Sequence, residues 1–333
     1  MTAARVALGV AVVLVSGSLA LSQPAVGTPA VPATPAGQPS VKDAPPKLYD
    51  ESADAKQQIA AAVAKAKKEN RRVLVQWGGN WCGWCIQLDK LCKKDQAIAK
   101  ELLYEYDVVR VDAGKDNKNM ELGVSYGAEL AKHGFPFLTI LDADGKAIAN
   151  QETSSLENKD QEKSPGHDPK LVLDFLKKHE ATPKDGQQIL DAGLATARSE
   201  GKVVFLHFGA PWCVYCHKME RWMAQPEVKA ILAKQFVDVK IDAERNTGGQ
   251  ALLTKYCGAE KMGIPWFVLL DENNKPLADS MNGEKGNVGF PVADDEIAHF
   301  ETMLKKAAPK FTETDLGWLT ASLKAFREKG KAK

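Results

Sequence analysis

Six cysteines stand in the 333 residues, and four of them share one spacing: Cys82-Gly-Trp-Cys85 and Cys213-Val-Tyr-Cys216. Two thiols three residues apart suit disulfide exchange, provided one is held as a thiolate and the other lies one helical turn on. The same kind of sequence precedes both pairs. Val73-Leu-Val-Gln-Trp-Gly-Gly-Asn-Trp81 leads into the first, and Val204-Phe-Leu-His-Phe-Gly-Ala-Pro-Trp212 into the second. An apolar run of strand character meets small turn residues and a tryptophan. Helical spacing follows, with Ile86, Leu88 and Leu91 after one pair and Met219, Trp222 and Met223 after the other. A helix that opens on the first cysteine offers it free N–H groups and a partial positive charge, which favour thiolate over thiol. Cys82 and Cys213 are therefore the expected nucleophiles, with Cys85 and Cys216 lying deeper and resolving the mixed disulfide.

The positioning elements follow in order. Residues 51–70 fit a helix with Ile59, Val63 and Ala66 on one face, and a strand covers 73–77. The Cys82 helix is expected to run to about Tyr104, followed by a strand at 107–111. Polar residues 113–119 lead to a short helix reaching Lys132. A strand follows Pro136, Asp142-Ala-Asp-Gly145 makes a hairpin turn, and residues 168–180 close the unit. The second half repeats this order. Ile189, Leu190 and Leu194 mark its opening helix, the Cys213 helix runs to about Gln235, residues 271–275 turn, and 293–306 close. The copies keep register, with the leading cysteines 131 apart (82 to 213) and two prolines 129 apart (136 to 265).

Trp-Cys-x-x-Cys after a buried strand, with Gly134-Phe-Pro136-Phe and Gly263-Ile-Pro265-Trp opening later strands, resembles the thioredoxin family over roughly residues 50–180 and 184–308. The resemblance implies an α/β fold of two tandem thioredoxin-like domains, each a central mixed sheet flanked by helices. It implies cis peptide bonds at Pro136 and Pro265 opposite the cysteines. Trp81, Phe135 and Pro136 would then bind substrate at the first site, and Trp212, Ile264 and Pro265 at the second. Substrates would be protein thiols and disulfides, reset by an unidentified redox partner, with no bound cofactor and no metal. One departure concerns the family's buried Asp six residues before its first cysteine. Gln76 and His207 stand there instead. Gln cannot titrate, whereas His207 is either a proton relay for Cys216 or a hydrogen-bonded core histidine. The polar stretches 150–169 and 282–294 are expected to border the proline groove and shape substrate choice.

The cysteines admit other readings. A disulfide closing a four-residue loop removes little chain entropy, so static staples are poor use of the pairs. A zinc site would need both helix N-termini to meet. Cys213-Val-Tyr-Cys216-His217 matches the c-type haem attachment pattern, but the preceding strand and tryptophan favour thiol chemistry. Cys92 and Cys257 read as small apolar core residues or as a bridge between the domains. From another class comes a redox-idle binding or chaperone-like module that uses the groove alone. A net charge of +1 gives no case for nucleic acid or an anionic membrane surface. Arg5, the apolar or Gly residues 6–15 and Ser16-Gly-Ser18-Leu-Ala20 mark residues 1–21 as a secretory signal, so an exported, periplasmic or secreted protein is expected. Membrane attachment would follow only if that segment stayed uncleaved. Residues 22–49 form a Pro/Ala-rich linker, 50–181 and 182–309 the two domains, and 310–333 a C-terminal helix and basic tail. Leu316, Leu319, Leu323 and Phe326 fit a helix docked on the second domain, or on a partner.

Overall fold

The computed structural model describes residues 47–331; the expected signal segment and nearly all of the expected linker lie outside the described residues. The first lobe opens with α1 (Ala55–Glu69), started by the Asp54 side chain accepting from Gln57 N–H and ended by Asn70 in the left-handed region. Next come β1 (Arg72–Gly78), α2 (Gly83–Lys94), α3 (Gln96–Glu105), β2 (Tyr106–Asp112), α4 (Met120–Ser125) and α5 (Leu130–His133). The hairpin β3 (Phe137–Leu141) and β4 (Ala147–Glu152) and the closing α6 (Pro169–Lys178) complete it. The second lobe repeats the series as α7 (Gly186–Glu200), β5 (Val203–Gly209), α8 (Val214–Met223), α9 (Pro226–Leu232), β6 (Phe236–Asp242), α10 (Gly249–Cys257), β7 (Trp266–Leu270), β8 (Pro276–Asp279) and α11 (Asp294–Ala307). Then comes α12 (Glu313–Lys331).

The two sheets share one topology, β2-β1-β3-β4 and β6-β5-β7-β8, with the first pair of each parallel and the hairpin strands antiparallel. Alternation along the central strand feeds two cores. Val73, Val75 and Trp77 pack with Ile59 of α1, whereas Leu74 packs with Leu88, Ile98 and Val172 on the other face. Both faces of β1 and β5 are covered, and this is why they read as apolar runs.

Several expected elements are divided. The Cys82 helix stops at Lys94 because Asp95 leaves the helical region and caps a new one, its carboxylate accepting from Ala97 and Ile98 N–H at 3.0 Å each. The Cys213 helix stops at Met223, and Pro226, which has no N–H, begins α9. The short helix before Lys132 is two pieces separated at Gly127, which has a φ of +76°. The linker expected to reach residue 49 ends sooner, since Tyr49 is fully buried in the first lobe. Helix α12 packs on the second lobe: Leu316, Leu319 and Leu323 join its core and Trp222 Nε1 donates to Ser322 Oγ at 3.0 Å.

The lobes meet at the turn after β6. Arg245 donates from Nε and Nη2 to the two Glu105 carboxylate oxygens at 2.9 and 2.7 Å, and to the Glu69 and Asn70 carbonyls at 3.1 and 2.9 Å. Beside it, Glu244 accepts from Tyr104 of α3 at 2.5 Å and from Trp212 Nε1 at 2.7 Å. Among the described residues no helix is long and apolar enough to cross a membrane.

Candidate active sites

Each central strand ends in a glycine, and a three-residue turn carries the chain to a cysteine at the helix N-cap. Cys82 and Cys213 have extended backbones at that position, and each Sγ accepts the N–H of the residue three on, Cys85 or Cys216, at 3.1 Å. A sulfur in this place takes up an otherwise unpaired helix donor and feels the positive end of the dipole. Both pairs are disulfide-bonded. Cys85 and Cys216 are buried. The leading cysteines are less open than an attacking thiolate suggests: Cys82 is 5% exposed and Cys213 3%. The tryptophans that precede them are exposed, Trp81 at 52% and Trp212 at 50%.

Opposite the cysteines, the Phe135–Pro136 and Ile264–Pro265 peptides are both cis. The Ile264 carbonyl oxygen lies 3.5 Å from Cys213 Sγ, and Phe135 joins the apolar cluster of Cys82 and Cys85. Trp81 meets Phe135 edge-on at 5.7 Å, and Gly114 leaves room for that contact; a Cβ on it would stand 2.5 Å from the Phe135 ring. The structure thus gathers Trp81, Cys82, Cys85, Phe135 and Pro136 in one patch, and Cys213, Ile264 and Pro265 beside Trp212 in the other.

Both matches to the thioredoxin-like family model cover these patches, at residues 54–143 and 185–272. The chain belongs to the thioredoxin-like family. It is 32% identical to human spermatogenesis-associated protein 20 over 127 residues, which is 36% of this chain and 15% of that one. It is 30% identical over 91 residues to the thiol:disulfide interchange protein DsbD of Vibrio vulnificus, covering 27% of this chain and 15% of the relative. The chain thus spans about 15% of the length of these curated relatives. Among solved structures, a disulphide isomerase from Xylella fastidiosa Temecula1 is similar at 28% identity and a TM-score of 0.35, over 40% of this chain and 98% of that one.

Within this thioredoxin-like frame a carboxylate stands one helical turn beyond the second cysteine of each pair, a feature the sequence reading missed. Asp89 is buried and accepts from Arg110 and Lys93 at 2.7 Å each. Glu220 pairs with Lys240 at 2.7 Å. Arg110 and Lys240 occupy equivalent places, in register with Gln76 and His207 on the central strands. A spacing of four from the second cysteine and a basic residue two before the end of the next strand was the available signal. Glu220 Oε1 and Cys216 Sγ border one point, 4.0 and 3.3 Å from where a Gly209 Cβ would stand. His207 is buried, but its Nε2 lies 3.0 Å from Asp238 Oδ1 and its ring stands edge-on to Phe205, contacts of a hydrogen-bonded core histidine.

The polar stretches lie on the cysteine face. Thr153 donates to the Pro136 carbonyl at 2.7 Å, and His167 packs edge-on to Trp84, inside the Cys-x-x-Cys segment, at 5.4 Å. Asn287 donates to the Gly263 and Pro265 carbonyls at 2.7 and 3.0 Å. The first stretch is shorter than expected because residues 150–152 belong to β4. Cys92 and Cys257 are free and partly buried, each packed against a core cluster. Burial, together with the Asp89 charge, pushes the Cys92 thiol up to about 12, so it is an inert core residue.

Proposed function

We propose that the protein is an exported thiol-disulfide oxidoreductase with two sites acting on protein thiols and disulfides. The observation that carries this is the hydrogen bond from the resolving cysteine's N–H to the leading sulfur, present in both lobes beside a cis proline. In the reducing direction the Cys82 thiolate attacks a substrate disulfide, forming a mixed disulfide and releasing one substrate thiolate. Cys85 then yields its proton to Asp89 and attacks Cys82 Sγ, so the Cys82–Cys85 bond closes and the second substrate thiolate leaves. Cys213, Cys216 and Glu220 act alike in the second lobe, and each sequence runs in reverse when the site oxidises substrate. Arg110 and Lys240 hold the carboxylates in place. Trp81, Phe135 and Pro136, and Trp212, Ile264 and Pro265, receive an extended substrate segment on backbone groups and apolar shoulders. The stretches 153–168 and 282–293 shape its choice. Export rests on the sequence of residues 1–21.

Insulin reduction by the parent protein, by Cys82→Ser, by Cys213→Ser and by the double variant tests the reading. Each single variant is expected to retain the other site's turnover, and the double variant to fall to background. A parent no faster than the double variant overturns the enzyme and leaves the redox-idle binding module. In the Cys82→Ser background, Glu220→Gln is expected to slow turnover on the order of 10²-fold. His207→Asn is expected to leave the pH dependence of the second site unchanged, because its ring partner is Asp238, and a shifted profile would restore the histidine relay.

A further inference from the structure

Tyr49 lies upstream of the first family match, yet its side chain is fully buried against Cys82 and Cys85. Its backbone is tied to the turn that precedes Cys82: Tyr49 N–H donates to Asn80 Oδ1 at 3.0 Å, and Asn80 Nδ2 donates to the Tyr49 carbonyl at 2.9 Å. Its hydroxyl has no hydrogen-bond partner, and neither does the neighbouring buried Gln76 Nε2. A buried hydroxyl so poorly partnered, with only the Gln76 amide near enough to act on it, costs free energy that a phenylalanine would avoid and leaves room for a stronger acceptor in another state of the molecule. The hydroxyl and the Cys85 sulfur flank one point at the end of β1. The point where a Gly78 Cβ would stand is 2.5 Å from Cys85 Sγ and 2.6 Å from the Tyr49 oxygen. At the equivalent point in the second lobe, Gly209, the nearest side-chain atoms belong to Cys216 and Glu220, with no tyrosine among them.

We propose that the Tyr49 hydroxyl donates a hydrogen bond to the Cys85 sulfur once the Cys82–Cys85 disulfide is reduced, making Tyr49 a catalytic residue of the first site with no counterpart in the second. This rests on Cys82 and Cys85 being an exchange site. A disulfide sulfur is a weak acceptor, and a thiolate is a strong, charge-assisted one. The donor therefore gains a strong acceptor only when the pair is reduced and Cys85 is ionised, and it stabilises that thiolate. Burial raises the pKa of Tyr49, with Arg110 of β2 and the Gln76 amide of β1 opposing and Asp89 of α2 and Asp112 of β2 adding to the rise. The hydroxyl thus keeps its proton and remains a donor.

The test uses the full chain carrying Cys213→Ser and Cys216→Ser, so that only the first site titrates. In a glutathione redox titration at a pH where Cys85 is ionised, Tyr49→Phe is expected to weaken the reduced form about tenfold, which is about 30 mV for a two-electron couple. With Cys82→Ser added, the alkylation profile of Cys85 is expected to move up by about one pH unit. Urea unfolding separates this from packing: the oxidised variant loses no hydrogen bond and should be at least as stable as its parent, while the reduced variant, at a pH where Cys85 is ionised, should unfold at lower urea than its reduced parent. An unchanged equilibrium constant with an unchanged alkylation profile overturns the proposal. A shifted Cys85 profile in a chain whose parent fails to reduce insulin keeps the hydrogen bond and removes the enzyme.

Discussion

At the scale of single residues, the two sites differ in how tightly the strand-end glycine is enclosed. A Cβ on Gly78 would meet two immobile atoms, the bonded Cys85 sulfur at 2.5 Å and the buried Tyr49 oxygen at 2.6 Å. On Gly209 the nearest atoms are at 3.2 and 3.3 Å, a distance that small shifts can relieve. Gly78→Ala is accordingly expected to cost about 2–3 kcal/mol and Gly209→Ala less than about 1.5 kcal/mol. Urea unfolding of the oxidised proteins reads the difference, and equal or reversed costs would contradict the geometry. What could be read from the sequence at this scale was whatever is contiguous. The cysteine pairs, their tryptophans and the prolines sit in short runs whose spacing states their relation. Tyr49 was invisible because its contact with Cys85 spans 36 residues (49 to 85) and its own neighbours look like linker. Asp89 and Glu220 went unread because an acidic residue on a helix signifies a site only once a cation from another strand is seen against it.

At the scale of elements, the sequence showed the order of helices and strands but not where the long helices break. Leu88 and Ile98 enter one cluster, and Met219, Met223, Val228 and Leu232 another, so the apolar period runs across Asp95 and Pro226 without interruption. The pattern records which face is buried, and the cap and the proline record the break. The stretch after β4 illustrates the converse: it looks solvated, yet it buries His167 against Trp84. Burial lowers His167 from 6.5 to about 4. The folded chain therefore resists a proton that the unfolded chain accepts, and stability from this group is lost as pH falls from about 6.5 to about 4. Glu101 in α3 works in the opposite sense. Burial and the neighbouring Glu180 and Glu105 raise it to about 7, so its contribution declines as pH rises through 4.5 to 7. The comparison that isolates the histidine is parent against His167→Phe. The variant is expected to lose less stability than the parent between pH 6.5 and 4 in urea unfolding, and parallel curves would show that His167 bears no such linkage.

At the scale of the whole molecule, the repeat told us that there are two lobes, and nothing in it told us how they are joined. The joint is made by Arg245, whose side chain is 8% exposed and satisfies both oxygens of Glu105, itself 14% exposed, together with two carbonyls at the end of α1. Removing the guanidinium leaves a nearly buried carboxylate and two carbonyls unpaired, a loss of about 3 kcal/mol. Lysine cannot restore it, since one ammonium cannot span a carboxylate and two carbonyls in the planar geometry of the fork. Calorimetry of the oxidised full chain should then show the lobes melting apart in Arg245→Ala and Arg245→Lys, where the parent melts as one unit. The joint also reaches the second site. Adjacent Glu244 holds Trp212 by its indole N–H while accepting from Tyr104 of the first lobe, so a loosened joint frees the shoulder over Cys213. Insulin reduction should therefore fall several-fold when Arg245→Ala is placed in the Cys82→Ser background, and remain near the parental rate in the Cys213→Ser background. Equal losses at both sites would mean that Arg245 supports the fold generally, and a single melt with an unchanged midpoint would mean that the lobes are held together elsewhere.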